Sequence, residues 1–416
     1  MDLPIVILDC GSGKTKVGKK EENFPQLIFP TVVGYDDHDA EGRPLFHEEL
    51  RKARDSVSLA HPVENGIVTN WEDMEKLWRF SFGAVQAQAE DHAVLISESP
   101  STPRLHRELA MQIFFEGLRV PAYFPVHTTL LSLYSSGRTS GVVVECGHGN
   151  AITAPYLDGV ALPHSILTLD LSGGALTEFL RSGLQEHGSS FGTAKDILSG
   201  TSLLANRILN NIKEKHVRTL PMADSRRLYP STSGALRSSI EGTSHHSGSS
   251  FSTGYGNDRG GEVTYNLPDG NTIEVPQSLL NQCGEYMFYP HLCGNDSVGI
   301  HVSTYNSLMF LDVEARKELY GHIVLCGGTC MMQGMHQRFT DELLSFAPSS
   351  LMDVSVVARP GRGTSVWDGG QILANMSAME KLWYSKADYD EYGALYVFIA
   401  LQERVIAIAT MFTIYL

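Results

Sequence analysis

Two short glycine-rich stretches carry the residue types that could hold a phosphate group. The first runs LDCGSGKTK over 8–16, and the second runs VVVECGHGN over 142–150. Each has apolar strand residues followed by an acid, a cysteine, a glycine, one other residue and a second glycine. Glycines let backbone N–H groups approach phosphate oxygens, and an acid at the strand end can hold waters of a hydrated Mg²⁺. Because the two stretches form a repeated pair, they favour two hairpins that bind one magnesium nucleotide from opposite sides. The alternative is two unrelated tight hairpins.

The first stretch also contains GSGKT, like the end of the phosphate loop of a P-loop NTPase. That loop requires a glycine where this chain has Leu8, and a helix that opens after the lysine and threonine. The residues that follow contain Gly18 and Pro25 and lack a helical apolar period. The sequence therefore predicts a strand at 4–9, a tight glycine turn and a second strand at 15–18.

The composition and net charge limit which classes of protein this chain can belong to. The chain has 416 residues, of which 42% are hydrophobic and 19% charged, enough for two or more domains with their own cores. Its net charge of −15 argues against direct nucleic-acid binding and against a general affinity for anionic membranes. Six cysteines without metal-ligand spacing favour free thiols in a reducing compartment, and the N-terminus lacks the basic start of a signal peptide. We expect a soluble cytoplasmic protein, with a nuclear location left open.

The elements around the glycine stretches alternate between strand-like runs and amphipathic helices, which predicts an α/β fold. The clearest helix is TNWEDMEKLWRFSF over 69–82, where Asn70 can cap the N-terminus and Asp73 follows three residues later. We assign its apolar face to core packing; that face carries Trp71, Met74, Leu77, Trp78 and Phe82.

Longer blocks of the chain resemble actin and the actin-related proteins, in that family's order and over nearly the whole length. The blocks include HPVENGIVTNWEDMEKLW (61–78), LLSLYSSGR (130–138), LDGVALPHSI (157–166), LDLSGGALTEFL (169–180), IVLCGGTCM (323–331) and SVWDGGQILANM (365–376). The resemblance implies a bilobed α/β fold whose two related domains flank a cleft that holds ATP or ADP with Mg²⁺. It implies four subdomains: 1–30, 62–135 and 365–416; 31–61; 136–171 and 296–364; and 172–295 with a low-complexity insertion at 222–262.

The resemblance also implies a set of nucleotide-binding positions. The two phosphate hairpins would supply Asp9, Gly11, Ser12, Gly13 and Lys16, then Gly147, His148, Gly149 and Asn150. The nucleotide's other contacts would be Gly173, Lys213, Glu214, Gly327, Gly328, Met331 and Met332. Asp9 and Glu145 would hold the metal through water.

Several of these positions depart from the family's pattern. Glu145 replaces an aspartate, and His148 replaces an acid. Thr128 and Ile152 stand where the family places the glutamine and histidine that position the attacking water, so no catalytic residue is assigned. Because phosphoryl transfer depends on positioning, we expect weakened nucleotide binding with little or no hydrolysis. At the base end, Met332 replaces an aromatic residue, which predicts looser selection of adenine.

Other segments bear on assembly. The region 34–55 is shorter and more charged than the family's inter-subunit loop, so self-assembly is doubtful, and we expect actin-family or actin-binding proteins as partners. The insertion 222–262 is rich in Ser, Thr and Gly and is predicted to be disordered. The apolar tail after Tyr392 is too interrupted by charge to span a membrane. It could bind a partner, associate with a membrane surface or be an extension foreign to the natural chain.

The function these observations predict is an ATP- or ADP-binding structural subunit of a cytoskeletal or multiprotein complex, divergent within the actin family. A filament-forming actin-type ATPase is the first alternative. A kinase or chaperone ATPase of the same wider superfold is the second, and the full-length resemblance to actin disfavours it.

Overall fold

The computed structural model describes residues 3–39, 41–52, 57–186, 203–229, 261–267, 270–346, 353–377, 379 and 382–394. The chain divides into two compact units. Unit 1 comprises 1–173, 303–331 and 348–416, and unit 2 comprises 174–302 and 332–347. The apolar tail from 395 onward and most of the low-complexity insertion, 230–260, lie outside the described residues.

The strands alternate with helices along the chain, which confirms the α/β class. The strands are β1 (Ile5–Cys10), β2 (Lys14–Lys19), β3 (Leu27–Pro30), β4 (Val33–Asp36), β5 (Pro44–Leu45), β6 (Val57–Ala60), β7 (Val63–Glu64), β8 (Ile67–Val68), β9 (Ala93–Glu98), β10 (Ala122–His127), β11 (Gly141–Cys146), β12 (Ala151–Leu157), β13 (Val160–Ala161), β14 (Leu167–Leu169), β15 (Glu262–Asn266), β16 (Thr272–Pro276), β17 (Ile323–Cys326), β18 (Val356–Val357) and β19 (Tyr384–Ser385). The helices are α1 (His47–Lys52), α2 (Trp71–Ala84), α3 (Arg104–Gln112), α4 (Thr128–Ser135), α5 (Gly173–Glu186), α6 (Leu203–His216), α7 (Met222–Leu228), α8 (Gln277–Glu285), α9 (Ile300–Met309), α10 (Val313–Tyr320), α11 (Met335–Phe346) and α12 (Ser365–Ala374).

Unit 1 contains two larger sheets with a shared local topology. The first has the strand order β19-β10-β9-β1-β2-β3, and the second has the order β13-β12-β11-β17-β18, with β14 paired to β12. In the first sheet β1 is antiparallel to β2 and parallel to β9. In the second sheet β11 is antiparallel to β12 and parallel to β17. The repeat seen in the sequence is therefore a repeat of structure, and each glycine stretch joins the two strands of a hairpin.

The first hairpin confirms the predicted strand, turn and strand, because β2 and not a helix follows the glycines. Its position is fixed from behind by α12, whose buried Trp367 donates from Nε1 to the backbone oxygen of Ile7 at 3.3 Å. Helix α12 in turn packs closely on α4. A Cβ atom at Gly369 would lie only 1.8 Å from the carbonyl oxygen of Leu131, so the two helix backbones meet without side chains between them.

The predicted helix over 69–82 is α2, which begins and ends two residues later than predicted. Asn70 caps it, since its side chain accepts a hydrogen bond from the backbone N–H of Asp73. The predicted apolar face is buried at Met74, Leu77, Trp78 and Phe82 and partly buried at Trp71. This face packs into the hydrophobic core of unit 1, as predicted.

Unit 2 is mainly helical, with the two-stranded ribbon β15–β16. Its interior holds a buried ionic cluster in which Arg338 contacts Glu285 and Glu342, all at most 1% exposed. The predicted disorder over 222–262 is wrong at its start, because 222–228 form α7. The tertiary contacts of α7 account for this: Ser225 is buried and donates to Glu285 at 2.6 Å.

Two further findings concern the chain as a whole. All six cysteines are free thiols. In the described part of the chain, no helix is both long enough and apolar enough to cross a membrane.

Candidate functional site

The first glycine hairpin carries a buried acid, Asp9, and both oxygens of its carboxylate have partners. Asp9 and Lys16 face each other across β1 and β2, and their side chains form an ion pair. Ser97, at the end of β9, donates to the other Asp9 oxygen at 2.8 Å. Burial alone would lower the pKa of Lys16, but the adjacent Asp9 outweighs it and raises that pKa. The lysine therefore stays charged, and Asp9 is only 3% exposed.

The second hairpin repeats the backbone with different side chains. Its turn closes as the first does, with Gly147 N–H donating to Asn150 at 2.9 Å where Gly11 N–H donates to Lys14 at 3.2 Å. The acid of this hairpin, Glu145, faces Ile152 across the strands, so it has no cross-strand cation.

Glu145 is consequently an uncompensated carboxyl group. Burial, and next the nearby charge of Asp9, raise its pKa to about 7, against the opposing effects of Thr128 and Lys16. The Thr128 hydroxyl lies beside this carboxyl group without meeting hydrogen-bond geometry. Within the described residues, the enclosed Glu145 Oε2 and Thr128 Oγ1 have no hydrogen-bond partner. Two enclosed polar atoms without partners mark a place where a bound water or a hydrated cation would be stabilised.

The tips of the two hairpins touch. A Cβ atom added to Gly13 would lie 2.7 Å from both Cβ and Cγ of His148. A Cβ atom added to Gly149 would lie 2.5 Å from Ser12 Oγ and 2.8 Å from Cα of Asn65. Each tip thus has a glycine where the other tip presents a side chain, and this is why both positions require glycine.

A third turn joins both tips, and sequence reasoning did not assign it a role. Asn65 and Gly66 form the left-handed turn between β7 and β8, with φ of 48° and 77°. Gly66 N–H donates to Ser12 Oγ at 2.8 Å, and Asn150 Nδ2 donates to the backbone oxygen of Asn65 at 2.8 Å. The Asn-Gly dipeptide between two short apolar runs predicts such a turn, but its partners cannot be read from local sequence.

The loop after β17 lies against the base of the second hairpin. Gly327 has φ of 95°, and a Cβ atom there would lie 2.3 Å from the Cys146 oxygen. Thr329 Oγ1 donates to the Gly147 oxygen at 2.8 Å, and Gly173 N–H donates to the same oxygen at 3.0 Å. The structure therefore brings Gly173 and Gly327 to the second hairpin. Their contact with a nucleotide, which the resemblance implies, stays a prediction. Thr329 is a further neighbour that the sequence analysis did not single out.

The residues predicted at the adenosine end belong to both units. In unit 1, Met331 is 46% exposed, and Gly328 has no atom within 4 Å of the position of a Cβ. In unit 2, Lys213 and Glu214 lie on α6, and Lys213 Nζ donates to Thr177 Oγ1 at 2.6 Å. Met332 accepts from the Thr219 hydroxyl at 3.4 Å. The roles of these residues toward a base stay predictions.

Duplicated sheets that each present a glycine hairpin, with the two tips in contact, define a duplicated α/β protein. The family model described as Actin matches residues 2–400, nearly the whole chain. The chain belongs to the actin family. Members of this family generally bind a nucleotide with a divalent metal and interact with actin-binding proteins.

The residues present fit such a ligand. Four glycines leave the backbone N–H groups of both tips approachable, which is what phosphate oxygens require. Within the described residues, no cluster of three or more His, Cys, Asp or Glu could ligate a metal directly. Asp9 and Glu145 are hard oxygen donors of the type Mg²⁺ prefers, and the enclosed Glu145 Oε2 would accept from one of its waters.

Proposed function

We propose that this actin-family chain binds ATP or ADP as a structural subunit of a cytoskeletal or multiprotein complex and hydrolyses ATP slowly or not at all. The observation that carries this proposal is the pairing across the second hairpin, where Ile152 faces Glu145. Both hairpins have glycine turns of a kind that suits phosphate oxygens, but the side chain at 152 can neither donate nor accept a hydrogen bond.

The binding part of the proposal rests on the hairpin tips. Backbone N–H groups at 12–13 and 148–149 would meet phosphate oxygens, and the hydroxyl hydrogen of Ser12 remains available because its oxygen accepts from Gly66. Lys16 would supply positive charge to the phosphates, although its ion pair with Asp9 already balances part of that charge. A bound Mg²⁺ would neutralise phosphate charge, and Asp9 and Glu145 would orient its waters.

The slow-hydrolysis part rests on what surrounds the place for a water. Ile152 is 3% exposed and belongs to the hydrophobic core. Thr128 Oγ1 is enclosed, and threonine reaches less far than glutamine. Because attack on a phosphoryl group requires a positioned water, we expect turnover slower by orders of magnitude than with a positioned water.

The structural-subunit part rests on the segment that includes β4, β5, α1 and β6. Its large apolar side chains turn inward: Phe46 is 7% exposed and Leu50 is 5% exposed. The surface of α1 is instead charged, with the pairs Arg43–Glu49 and Arg51–Glu48. The described part of this segment therefore offers no large apolar side chain for insertion into a neighbouring subunit, and we expect poor self-assembly.

The test measures thermal unfolding of the full chain with Mg-ADP, with Mg-ATP and without nucleotide, with phosphate release followed in the same sample. The proposal predicts a rise in Tm with nucleotide and no measurable phosphate release. The matched variant Thr128→Gln/Ile152→His should release phosphate faster than the natural chain. Rapid phosphate release by the natural chain would contradict the proposal, and sedimentation of the chain as polymer would favour the filament-forming alternative.

A further inference from the structure

In each glycine hairpin, a threonine from another segment holds one backbone carbonyl group. In the first hairpin, Thr31 Oγ1 donates to the backbone oxygen of Gly11 at 2.7 Å. In the second hairpin, Thr329 Oγ1 donates to the backbone oxygen of Gly147 at 2.8 Å. Gly11 and Gly147 are equivalent residues, because each is the first glycine of its hairpin and follows the cysteine that ends the first strand. Both hairpins therefore have the same backbone oxygen bound by a threonine hydroxyl group.

The duplication of the sheet does not by itself account for both threonines. Thr31 follows β3, which is antiparallel to the second strand of its hairpin. Thr329 follows β17, which is parallel to the first strand of its hairpin. The two threonines thus occupy different places in the repeat, and each nevertheless donates to the oxygen of the first glycine. What the two hairpins share is the hydrogen bond, which different elements supply.

Thr31 holds the first hairpin at more than one point. Its backbone N–H donates to the Gly13 oxygen at 3.2 Å. Its hydroxyl oxygen lies 2.9 Å from that of Thr15, and both threonines are fully buried. Because a hydroxyl group has one hydrogen and a carbonyl oxygen can only accept, Thr31 donates to Gly11 and Thr15 donates to Thr31. The direction of the Thr31 hydroxyl group is therefore fixed, and so is the direction of the Gly11 carbonyl group.

The direction of each carbonyl group decides where the next amide points. A trans peptide bond is planar, and its C=O and N–H groups point in opposite directions. Because Thr31 holds the Gly11 oxygen, the N–H of Ser12 points away from Thr31. The same geometry turns the N–H of His148 away from Thr329. These are two of the amides that the proposed function places against phosphate oxygens.

We propose that Thr31 and Thr329 are positioning residues for the phosphate groups of the bound nucleotide, because their hydroxyl groups fix the peptide planes whose amides face the ligand. This inference rests on the proposed nucleotide binding. Neither threonine touches the ligand, and each acts through the glycine that it holds. Without the hydroxyl group, the glycine carbonyl group loses a partner, and the flexible glycine lets the peptide plane turn. Ordering that plane again on binding would lower the affinity for the nucleotide.

The experiment is isothermal titration of the full chain with Mg-ADP, at a temperature where every variant is folded. Thr31→Val and Thr329→Val keep the shape of the side chain and remove the hydroxyl group, and each should weaken Mg-ADP binding about fivefold. Thr31→Ser and Thr329→Ser keep the hydroxyl group and should bind within about twofold of the natural chain. The control is Ser307→Ala, which removes a buried hydroxyl group that donates to the Ser165 oxygen at 2.6 Å. This control should lower the Tm and leave the affinity unchanged.

The outcomes separate the inference from the proposed function. Valine variants that bind Mg-ADP as tightly as the natural chain, with only a lower Tm, would show that the threonines are merely structural and would overturn the inference. Serine variants that bind as weakly as the valine variants would overturn it too, as would an equal loss of affinity in Ser307→Ala. If Thr31→Val does not fold, the variants of the half-buried Thr329 provide the same test. If neither the natural chain nor any variant binds Mg-ADP, the proposed function fails and the inference fails with it.

Discussion

The two glycine hairpins of unit 1 have the same backbone and opposite electrostatics. In both, a strand that ends in an acid turns back through glycines and pairs with an antiparallel partner. The first acid, Asp9, faces Lys16 and also accepts from Ser97. The second acid, Glu145, faces Ile152 and keeps one enclosed oxygen without a partner in the described chain.

This contrast shows which features the fold supplies and which the individual side chains supply. The approach of backbone amides at the tips follows from the duplicated topology and the glycines. Whether each acid has a cation opposite it in the hairpin follows from one residue, Lys16 in the first hairpin and Ile152 in the second. In the first hairpin the buried acid is paired with a lysine. In the second hairpin, burial raises the pKa of the Glu145 carboxyl group to about 7.

The largest effect should come from removing the cation of the first hairpin. Lys16→Met leaves Asp9 buried without its partner and should lower the free energy of unfolding by about 3 kcal/mol. Urea denaturation measures the loss. Lys14→Met, on the exposed side of the same strand, should cost about 0.5 kcal/mol or less. The double variant Asp9→Asn/Lys16→Met should regain part of the loss, since no unpaired charge remains. Equal losses for Lys16→Met and Lys14→Met would refute the compensated-pair interpretation.

A second effect should come from filling the glycines at the interlocked tips. Gly13→Ala and Gly149→Ala should each lower the free energy of unfolding by about 2 kcal/mol, because the new methyl group overlaps the opposite hairpin. Gly149→Ala should cost more, since its neighbours include the Asn65 backbone at 2.8 Å, which cannot rotate away. Gly328→Ala is the control, because a Cβ there meets no atom within 4 Å. If Gly328→Ala lowered the free energy of unfolding as much as the other two variants do, the need for glycine at 13 and 149 would come from backbone freedom and not from the contacts of the tips.

A third prediction concerns pH and Glu145. The folded chain keeps this proton up to a pKa of about 7, while the unfolded chain releases it near the ordinary value of 4.5. Stability should therefore fall as pH rises from about 4.5 to about 7, and Glu145→Gln should remove that part of the fall. In EDTA without nucleotide, the free energy of unfolding of Glu145→Gln, relative to that of the natural chain, should rise by on the order of 1 kcal/mol from pH 5 to pH 8.

The control for this pH effect is Glu64→Gln, at an exposed position on β7, which should leave the pH profile unchanged. Glu98 also has a pKa raised to about 7 by burial, so part of the fall should persist in Glu145→Gln. A profile for Glu145→Gln that superimposes on that of the natural chain would mean that Glu145 is compensated after all.

The smallest effects should come from the turn that ties the tips together. Ser12→Ala removes the acceptor of the Gly66 N–H and should cost about 1 kcal/mol, and Asn150→Ala, whose hydrogen bond is exposed, about 0.5 kcal/mol. Amide hydrogen exchange should accelerate at Gly66 in Ser12→Ala and not in Asn150→Ala. Acceleration at Gly66 in both variants would indicate that the turn opens as one unit.

Much of the fold could be predicted because its signals are local. The apolar run and the glycines of the first hairpin placed its strands at 4–9 and 15–18, against Ile5–Cys10 and Lys14–Lys19 in the structure. The Asn70 cap and the apolar periodicity placed α2 within two residues. The prediction of disorder was wrong at 222–228. The composition of the insertion is that of a solvated segment, but Ser225 is held by Glu285, which lies 60 residues further along the chain.

The site was predicted less completely, for the same physical reason. The resemblance to actin supplied the hairpin residues, and the structure brings those within unit 1 together. The Asn65–Gly66 link was missed because its bonds to Ser12 and Asn150 span 54 and 85 residues, and no local pattern encodes such partners. Ser97 was missed likewise, since its bond to Asp9 depends on the parallel register of β1 and β9.

The most direct test of the central claim is hydrogen exchange with and without saturating Mg-ADP, resolved to the two hairpins. The claim is that both hairpins form one phosphate-binding site. It predicts slower amide exchange at 11–16 and at 147–150 together, with little change in strands β15 and β16 of unit 2. Protection of only one hairpin, or of neither at a concentration where Mg-ADP raises the Tm, would contradict it and place the nucleotide elsewhere.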